Sequence, residues 1–372
     1  MALSALKSTL HEALPDDVPR KLPNQVIRDL LSTLQANKGC VIVRGDIKSF
    51  YDSISHKKLL LSLVARIGHG RVTEMVMTAI RGAVVPAGYR KEDIKKYATN
   101  RGVPQGLPIS NFLAHMLLSH FDKKIEKEFF AYHRYVDDMI LLVPVGGEAS
   151  AVKRFSKSLS GIGLKLNKEK TKHFSFDERF VFLGYEICDG KARPRLASVE
   201  KFIRSVAGLF SQLRQKRLPG RKSKDQEWSE QEFGEVFIEE LNEKITGAIS
   251  QYKQYGWVFY FNESTDLSAF SRVDKIIKKI ARASPHLTNE LRRSIKSVAK
   301  AFHESKWNKS GGYISNYDAI DSHEKRVEFM VRFGYIRRSE VGAVPPGQLV
   351  IMYRDVVAQR LARLDQDVGL IS

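Results

Sequence analysis

The spacing of apolar residues divides the chain into a first part that mixes strands with helices and a second part that contains helices only. Short β-branched runs such as Val41–Val43 occur between residues 41 and 190, together with helical stripes such as 112–125. From about residue 195 onwards the apolar residues recur at helical spacing alone. The stripes there cover 199–213, 233–249 and 273–280. The pattern therefore predicts an α+β part followed by helices.

Acidic residues stand where predicted strands end. Asp46 follows the run Val41–Val43, and Asp137 and Asp138 lie between two β-prone runs, which predicts a hairpin with both acids at its tip. Adjacent carboxylates repel each other unless a cation neutralises them, so the pair indicates a metal site. Each segment by itself also has a structural explanation, because Asp46 can be a helix cap and an Asp-Asp pair can form a solvent-exposed turn.

Three more segments of the first part carry polar chemistry. A loop rich in Gly and Pro, 101–111, precedes the helix 112–125, and Gln105 lies where the N-terminus of that helix can meet a base or a phosphate. An alternating basic segment, 164–171, and a predicted strand, 180–187, follow. Their order along the chain is therefore acid, loop, paired acids, basic segment and strand.

The net charge indicates the class of partner. The 372 residues contain 61 Lys plus Arg against 42 Asp plus Glu, a formal net charge of +19, and residues 191–224 hold eleven Lys or Arg and a single acid. This excess favours a polyanionic partner, nucleic acid before an acidic membrane surface. With no 18-residue apolar run and no secretion leader, a soluble protein is expected. Two cysteines, Cys40 and Cys188, exclude a disulfide framework and agree with the cytoplasm.

Together these segments resemble the palm of reverse transcriptases, especially prokaryotic enzymes related to those of group II introns and retrons. The resemblance covers roughly residues 40–190 and, more weakly, the basic helices to about residue 285. Each motif alone is unspecific, whereas five motifs in this order are specific. Motifs A to E, in chain order, correspond to Gly45–Asp52, Val103–Ser110, Tyr135–Asp138, a segment that ends in Lys170-Thr171, and Phe182–Tyr185.

The resemblance implies a right-hand polymerase fold of the α+β class. We expect a palm in which helices pack on an antiparallel sheet, with abbreviated fingers, an all-α thumb and a C-terminal helical region. The fingers are expected to be abbreviated because only about 40 residues precede motif A. A partner chain, or the basic residues Arg20, Lys21 and Arg44, would then replace the missing grip on the triphosphate. The expected segments are fingers 1–40, palm 41–190, thumb 191–285 and a module of unknown role, 286–372.

The resemblance also implies the chemistry, which is transfer of a nucleotide to a 3′-hydroxyl with two Mg²⁺ ions about 3.5–4 Å apart. Asp46 and Asp137 are expected to bridge the two ions, with Mn²⁺ as a possible substitute metal. Asp138 would assist, and the backbone carbonyl of Ile47 would be a further ligand. By the same resemblance, Lys170 is expected to protonate the departing pyrophosphate.

Residues for the nucleotide and for nucleic acid follow from the same motifs. The backbone of Ser49, Phe50 and Tyr51 is expected to receive the triphosphate, with Gln105 close by. A bulky Tyr51 five residues after the first acid implies dNTPs rather than rNTPs, although Asp52 comes close to the pattern of RNA-dependent RNA polymerases. The residues expected to contact nucleic acid are Leu183, Gly184, Tyr185, Arg193, Arg195 and Arg204.

The expected partners are an RNA template, a DNA primer or product, and dNTPs, with a non-coding RNA, a second subunit or a second copy of the chain as further candidates and no membrane. Two cysteines cannot build the Cys/His nuclease domain of intron enzymes, and the Val-Thr-Gly of retron enzymes is missing near motif E. The resemblance is therefore greatest to free-standing, abortive-infection-type reverse transcriptases of phage defence. The alternatives are template-independent or protein-primed DNA synthesis, and a non-catalytic nucleic-acid-binding subunit.

Overall fold

The structure is a computed structural model that describes residues 2–19, 21–82, 88, 90, 92, 100–215 and 228–368. The chain forms two compact units, which are described separately here. The first unit is Met1–Phe180 with Cys188–Gly190, and the second is Val181–Ile187 with Lys191–Ser372. The finer division into fingers, palm, thumb and C-terminal module stays a prediction. None of the helices in the described ranges has the length and apolar character needed to cross a lipid bilayer.

The first unit is built on a four-stranded sheet, as the α+β class requires. Its strands are β1 (Cys40–Asp46), β2 (Ala131–Tyr135), β3 (Asp138–Pro144) and β4 (Lys172–Phe174). They lie in the order β2–β3–β1–β4, and every neighbouring pair is antiparallel. Strand β3 buries all five residues of the apolar run Met139–Val143, so both of its faces are covered.

Helices pack around this sheet and supply most of the apolar core. The predicted helices after Ser55 and through 112–125 are confirmed, and the former ends at Gly68, which adopts a φ of 75° that favours glycine. Helix residues from both ends of the unit share one core with the strands, from Leu6 to Leu166. The helices are α1 (Ala2–Ala13), α2 (Pro23–Ala36), α3 (Phe50–Ser53), α4 (His56–Ile67), α5 (Arg71–Arg81), α6 (Ser110–Glu128) and α7 (Glu148–Gly161).

The segment 180–187, predicted as one strand, forms two strands joined by a tight turn. Leu183 and Gly184 have φ values of 47° and 75°, and two successive positive φ values are typical of a two-residue hairpin turn. The chain passes from the first unit to the second within the resulting three-stranded sheet. The strands of this sheet, in spatial and chain order, are β5 (Phe180–Phe182), β6 (Tyr185–Cys188) and β7 (Lys191–Pro194).

The second unit is mainly helical, but it also contains a small sheet that corrects the prediction of helices alone. The predicted stripe 233–249 stops early, because Gly247 takes a φ of 71° after Thr246 and turns Ile249 into a strand. The strands are β8 (Ala248–Ser250), β9 (Lys253–Tyr255) and β10 (Ser315–Asn316). The helices are α8 (Leu196–Arg214), α9 (Glu230–Thr246), α10 (Trp257–Tyr260), α11 (Ser268–Ala283), α12 (Asn289–Arg293), α13 (Val298–Trp307), α14 (His323–Arg332) and α15 (Pro346–Val368).

Candidate active site

Strand pairing brings the predicted acids together at one edge of the first unit's sheet. Asp46 is the last residue of β1 and lies opposite Asp138, the first residue of β3. Asp137 precedes it in the two-residue turn between β2 and β3. Of the two acids predicted at the hairpin tip, Asp137 is therefore in the turn, whereas Asp138 is in the strand. Since alternate residues of a strand share a face, Arg44 projects to the same side as Asp46.

A buried arginine holds the turn that carries Asp137. Val136 has a φ of 57°, which is a rare and strained conformation for a β-branched residue. The Nη1 of Arg134 donates to the backbone oxygen of Val136 at 2.9 Å, and its Nε donates to Asp122 Oδ1 at 2.8 Å. Tyr132 donates to the same Asp122 oxygen at 2.8 Å. This network on β2 and α6 stabilises the turn, and the sequence analysis did not identify it.

The guanidinium of Arg44 pairs with the carboxylate of Asp138. Arg44 Nη2 lies 2.9 Å from Oδ1 and 3.2 Å from Oδ2, and Nε donates to Oδ1 at 3.1 Å. The two residues are diagonal neighbours across β1 and β3, within reach of a long side chain. This position corrects one expectation, because Arg44 is engaged with an acid of the site and is not a free substitute for fingers residues. Lys21 pairs with Asp29 at 2.6 Å, and Arg20 lies outside the described residues.

The segment before β4 closes the site around Asp46. Lys170 Nζ lies 3.3 Å from Asp46 Oδ2, with 65% of the Lys170 side chain exposed. Asn167 donates from its backbone nitrogen to the Asp46 backbone oxygen at 2.7 Å and from Nδ2 to Oδ2 at 3.2 Å. Thr171 donates its backbone nitrogen and hydroxyl to the Asn167 oxygen, which forms a turn. Lys170 thus lies next to an acid, and its role as a proton donor stays a prediction. Asn167 was missed because a single Asn in a basic segment carries no distinctive signal.

Burial and mutual repulsion disfavour the charged forms of Asp137 and Asp138. Burial raises the pKa of Asp137, the carboxylates of Asp46 and Asp138 add to this effect, and Lys170 opposes it. Burial likewise raises the pKa of Asp138, against the opposing influence of Arg44. The pKa of Tyr51 is raised by burial first and by the charge of Asp137 second. The site therefore gains from any added cation.

The donor set fits a hard divalent cation, although a cation would have to rearrange it. Within the described part of the chain, no three His, Cys, Asp or Glu side chains are grouped so as to hold a metal ion. The reason is that Asp138 is turned towards Arg44 and Asp46 towards Lys170. Ile47 faces Leu166 in an antiparallel bridge whose hydrogen bonds are made by its neighbours, which leaves the Ile47 carbonyl out of that pairing. Carboxylate and carbonyl oxygens are the ligands that Mg²⁺ prefers.

The residues expected to bind the nucleotide lie in the segment that follows Asp46 and in the loop that is hydrogen-bonded to it. Ser49 has a φ of 45° and is the N-cap residue directly before α3, whose first N–H groups have no acceptor within the helix. Phe50 is only 4% exposed, and its side chain belongs to the core of the unit. The backbone nitrogen of Val103 donates to the Tyr51 oxygen at 2.9 Å, which fixes the loop that carries the exposed Gln105.

Leu183, Gly184 and Tyr185, which were expected to contact nucleic acid, are buried in the second unit. Tyr185 is 0% exposed, and its hydroxyl donates to the Tyr260 backbone oxygen at 2.5 Å. The Tyr260 hydroxyl in turn donates to the Leu183 oxygen at 3.0 Å. The side chains of Leu183 and Tyr185 therefore pack the second unit, and contact of this turn with nucleic acid stays a prediction.

The three arginines expected to contact nucleic acid differ in how far they are already engaged. Arg193 forms ion pairs with Glu186 at 2.5 Å and with Asp266 at 3.6 Å. Arg195 is half-buried and donates to Ser198 Oγ at 3.3 Å. Arg204 is exposed on α8. Among them, Arg204 is the residue best placed to meet a phosphate.

Comparison with known proteins identifies the family of the first half of the chain. Residues 1–187 match the reverse transcriptase (RNA-dependent DNA polymerase) family. The chain is 23% identical over 216 residues to Protein YkfC of Escherichia coli (strain K12), which is 47% of this chain and 55% of that protein. It is 35% identical over 106 residues to an uncharacterized 91 kDa protein in cob intron of Schizosaccharomyces pombe, which is 28% of this chain and 12% of that protein.

Solved polymerase structures show a weaker likeness. The telomerase of Candida albicans, in complex with a fragment of telomeric RNA, is 15% identical with a TM-score of 0.45, over 80% of this chain and 56% of that one. Such a score is too low to establish a common function. The chain spans about half of YkfC and about an eighth of the intron protein, so the comparison concerns a shared segment and not the whole of either relative.

Proposed function

The chain belongs to the reverse transcriptase family, and on that premise we propose that it is an RNA-directed DNA polymerase that adds dNTPs to a 3′-hydroxyl. The observation that carries the proposal is the convergence of Asp46, Asp137 and Asp138 at one edge of the sheet, with Lys170 beside Asp46. Three carboxylates in a partly desolvated site are costly to the fold, and a purely structural role would not require them. Nucleotide transfer, in contrast, uses them directly.

Asp46 and Asp137, with the carbonyl of Ile47, are the groups that would hold Mg²⁺. A pair of such ions activates the 3′-hydroxyl and neutralises the charge of the leaving pyrophosphate, and Mn²⁺ satisfies the same oxygen ligands. Asp138 contributes its charge to the site while Arg44 holds its carboxylate in place. Asn167 orients Asp46 from the other side.

Lys170 is the proposed proton donor to the departing pyrophosphate. Its side chain is largely exposed and flexible, and its ammonium group lies at the edge of the acidic site in the absence of substrate. When the triphosphate arrives, the ammonium group of Lys170 can leave Asp46 and pair with the phosphates instead. The transfer of one proton from Nζ to the pyrophosphate oxygen then completes the leaving group.

Tyr51 is the proposed selector of deoxynucleotides. It follows Asp46 by five residues, the charge of Asp137 raises its pKa, and its backbone is tied to the loop of Gln105. A ring in this position would exclude a ribose 2′-hydroxyl. The proposed partners are an RNA template, a DNA primer or product, and dNTPs, with Arg204 as a phosphate contact. A non-coding RNA, a second subunit or a second copy of the chain would complete the complex.

The proposed setting is antiviral defence in the bacterial cytoplasm. The support for defence is the likeness to free-standing enzymes of the abortive-infection type. The compartment agrees with the chemistry of the cysteines, because Cys40 and Cys188 are both free thiols. Propagation of phage on cells that carry the gene or its Asp137→Ala variant tests this setting, since defence by DNA synthesis requires the acid.

Incorporation of labelled dNTPs and rNTPs with Mg²⁺, with co-purified nucleic acid as the template, tests the polymerase itself. The matched sample carries Asp137→Ala and Asp138→Ala. Deoxynucleotide incorporation that disappears in this variant supports the proposal, and sequencing of the product separates copying of RNA from template-independent or protein-primed synthesis. Tight RNA binding without incorporation in either sample would instead identify a non-catalytic subunit.

A further inference from the structure

A basic pocket lies in the second unit, apart from the residues discussed so far. Helices α11 and α12 and the segment that precedes α13 line a cavity of about 490 Å³. Five cationic side chains and one acid line it. The cations are Lys278, Arg282, Arg292, Arg293 and Lys296, and we call the cavity with these five residues the basic pocket.

The single acid of the cavity, Asp274, offsets at most one of the five positive charges. Asp274 accepts hydrogen bonds from Ser297 Oγ and the Val298 backbone nitrogen, both at 2.6 Å, and from the Ala299 backbone nitrogen at 3.1 Å. These are the first N–H groups of α13, so the carboxylate is engaged in starting that helix. In the described ranges of the chain, no carboxylate forms an ion pair with any member of the basic pocket.

Arg292 is held rigidly by neutral acceptors. Its Nε and Nη2 donate to the backbone oxygens of Ala281 at 3.1 Å and Ser284 at 2.9 Å, and Nη1 donates to Asn289 Oδ1 at 3.0 Å. None of these acceptors carries a formal charge. The guanidinium therefore keeps its full positive charge at a fixed place in the wall.

Lys296 carries an unneutralised charge in a partly buried position. Its Nζ donates to the Tyr313 backbone oxygen at 2.5 Å and lies 5.0 Å from the centre of the Tyr313 ring. Burial lowers the pKa of Lys296, and the charge of Lys300 lowers it further. Desolvated cations without a counter-charge are unfavourable, so an anion in the cavity would relieve a cost that the free protein bears.

We propose that the basic pocket binds a phosphodiester group of a nucleic-acid strand. Guanidinium groups match the pairs of oxygen atoms of a phosphate. Several cations around one cavity favour a ligand that has more than one anionic oxygen or a second anionic group next to it. The volume lies within the range of about 300–1,000 Å³ that is typical of ligand sites. The anion site follows from the residues alone, whereas the choice of nucleic acid as the source of the phosphate rests on the proposed function.

Binding of a short, labelled oligouridylate to the full chain without divalent ions tests this site independently of catalysis. The test variant is Arg282→Ala with Arg293→Ala, two exposed residues that hold no hydrogen bond in the described ranges. The matched control is Lys275→Ala with Lys279→Ala, which removes the same charge from α11 outside the pocket. We expect the test variant to bind about tenfold more weakly and to lower the slope of log affinity against log salt by about 0.7, as one lost phosphate contact on a single strand requires.

The control variant should bind within about twofold of the parent, and thermal unfolding should show that both variants are folded. Equal weakening in both variants would overturn the proposal, because it would reflect net charge and not the pocket. An unchanged affinity of the test variant would also overturn it. Competition by inorganic phosphate without any effect of the test variant on RNA binding would overturn nucleic acid as the source. An Asp46→Asn variant should bind the RNA normally, so a protein that fails to polymerise does not affect the result.

Discussion

Arg44 and Asp138 form a two-pronged ion pair across β1 and β3, with Arg44 Nη2 at 2.9 and 3.2 Å from the two carboxylate oxygens. The pair holds the second acid of the Tyr-Val-Asp-Asp segment in a fixed orientation while Asp137 next to it stays in the turn. Within the described residues, no Lys or Arg forms an ion pair with Asp137. The two adjacent acids therefore have different environments: the carboxylate of Asp138 is fixed by Arg44, whereas that of Asp137 is available as a ligand.

Removal of the Arg44 side chain should slow nucleotide incorporation. Arg44→Ala frees the Asp138 carboxylate and removes charge-assisted hydrogen bonds worth roughly 1.5–3 kcal/mol, which corresponds to about a 10- to 100-fold loss of kcat. The kcat of Arg44→Lys should lie between that of the parent and that of Arg44→Ala, because an ammonium cannot form the two-pronged contact. Single-turnover incorporation measures the effect. Full activity of Arg44→Ala would contradict the role of the pair.

Lys170 should act through its proton and not only through its charge. Lys170→Ala should reduce kcat by roughly 100-fold or more, the usual contribution of a general acid, with little change in KM for the dNTP. Lys170→Arg should remain slow, since a guanidinium keeps its proton. Lys168→Ala, an exposed lysine in the same turn, serves as the control and should keep the parent rate. Recovery of the rate in Lys170→Arg would assign Lys170 a purely electrostatic role.

The Tyr51 ring should determine the choice of sugar. Tyr51→Ala should lower the ratio of kcat/KM for a dNTP over the matching rNTP by about 10-fold or more, because the space for a 2′-hydroxyl is opened. Tyr51→Phe keeps the ring and should keep the ratio. Steady-state kinetics with paired nucleotides measures both variants. An unchanged ratio in Tyr51→Ala would move the selection to another residue.

Protonation of His133 should destabilise the first unit in acid. Burial lowers the pKa of His133 from 6.5 to about 4, and its ring nitrogen lies 3.1 Å from Thr33 Oγ1. The unfolded chain therefore binds the proton first, so stability is fully present above pH 6.5 and falls as the pH drops towards 4. The loss from this group is at most about 3 kcal/mol. Denaturant unfolding of the parent and of His133→Gln across this range should show a shallower pH dependence in the variant.

Arg360 should be essential to the stability of the second unit. Its guanidinium is 2% exposed and pairs with Glu240 at 2.5 Å and with Glu243, while Nε donates to the Tyr317 hydroxyl at 2.6 Å. Arg360→Met should cost about 3–5 kcal/mol, because two buried carboxylates lose their cation. Adding Glu240→Gln and Glu243→Gln should restore part of the loss. Urea unfolding measures both variants, and a single variant as stable as the parent would contradict the prediction.

Tertiary structure decided the partners of the acids. Arg44 and Asp138 are 94 residues apart in the chain, and Asn167 and Asp46 are 121 apart. Which side chains meet depends on the register of the strands, and a shift of one residue would turn each of them to the other face. The same cause explains why the pattern did not predict the burial of Tyr185, since an exposed and a buried aromatic residue look alike in a strand pattern.

The sequence by itself determined the helices after Ser55 and through 112–125, the hairpin around Asp137, and the position of Asp46 at the end of a strand. These features are local, because the periodicity of apolar residues and the chemistry of turns act over a few neighbours. Only the tertiary structure determined that α9 ends before Gly247, that Asp138 forms an ion pair with Arg44, and that five cations line one cavity. Those outcomes depend on packing between distant segments, which local periodicity does not encode.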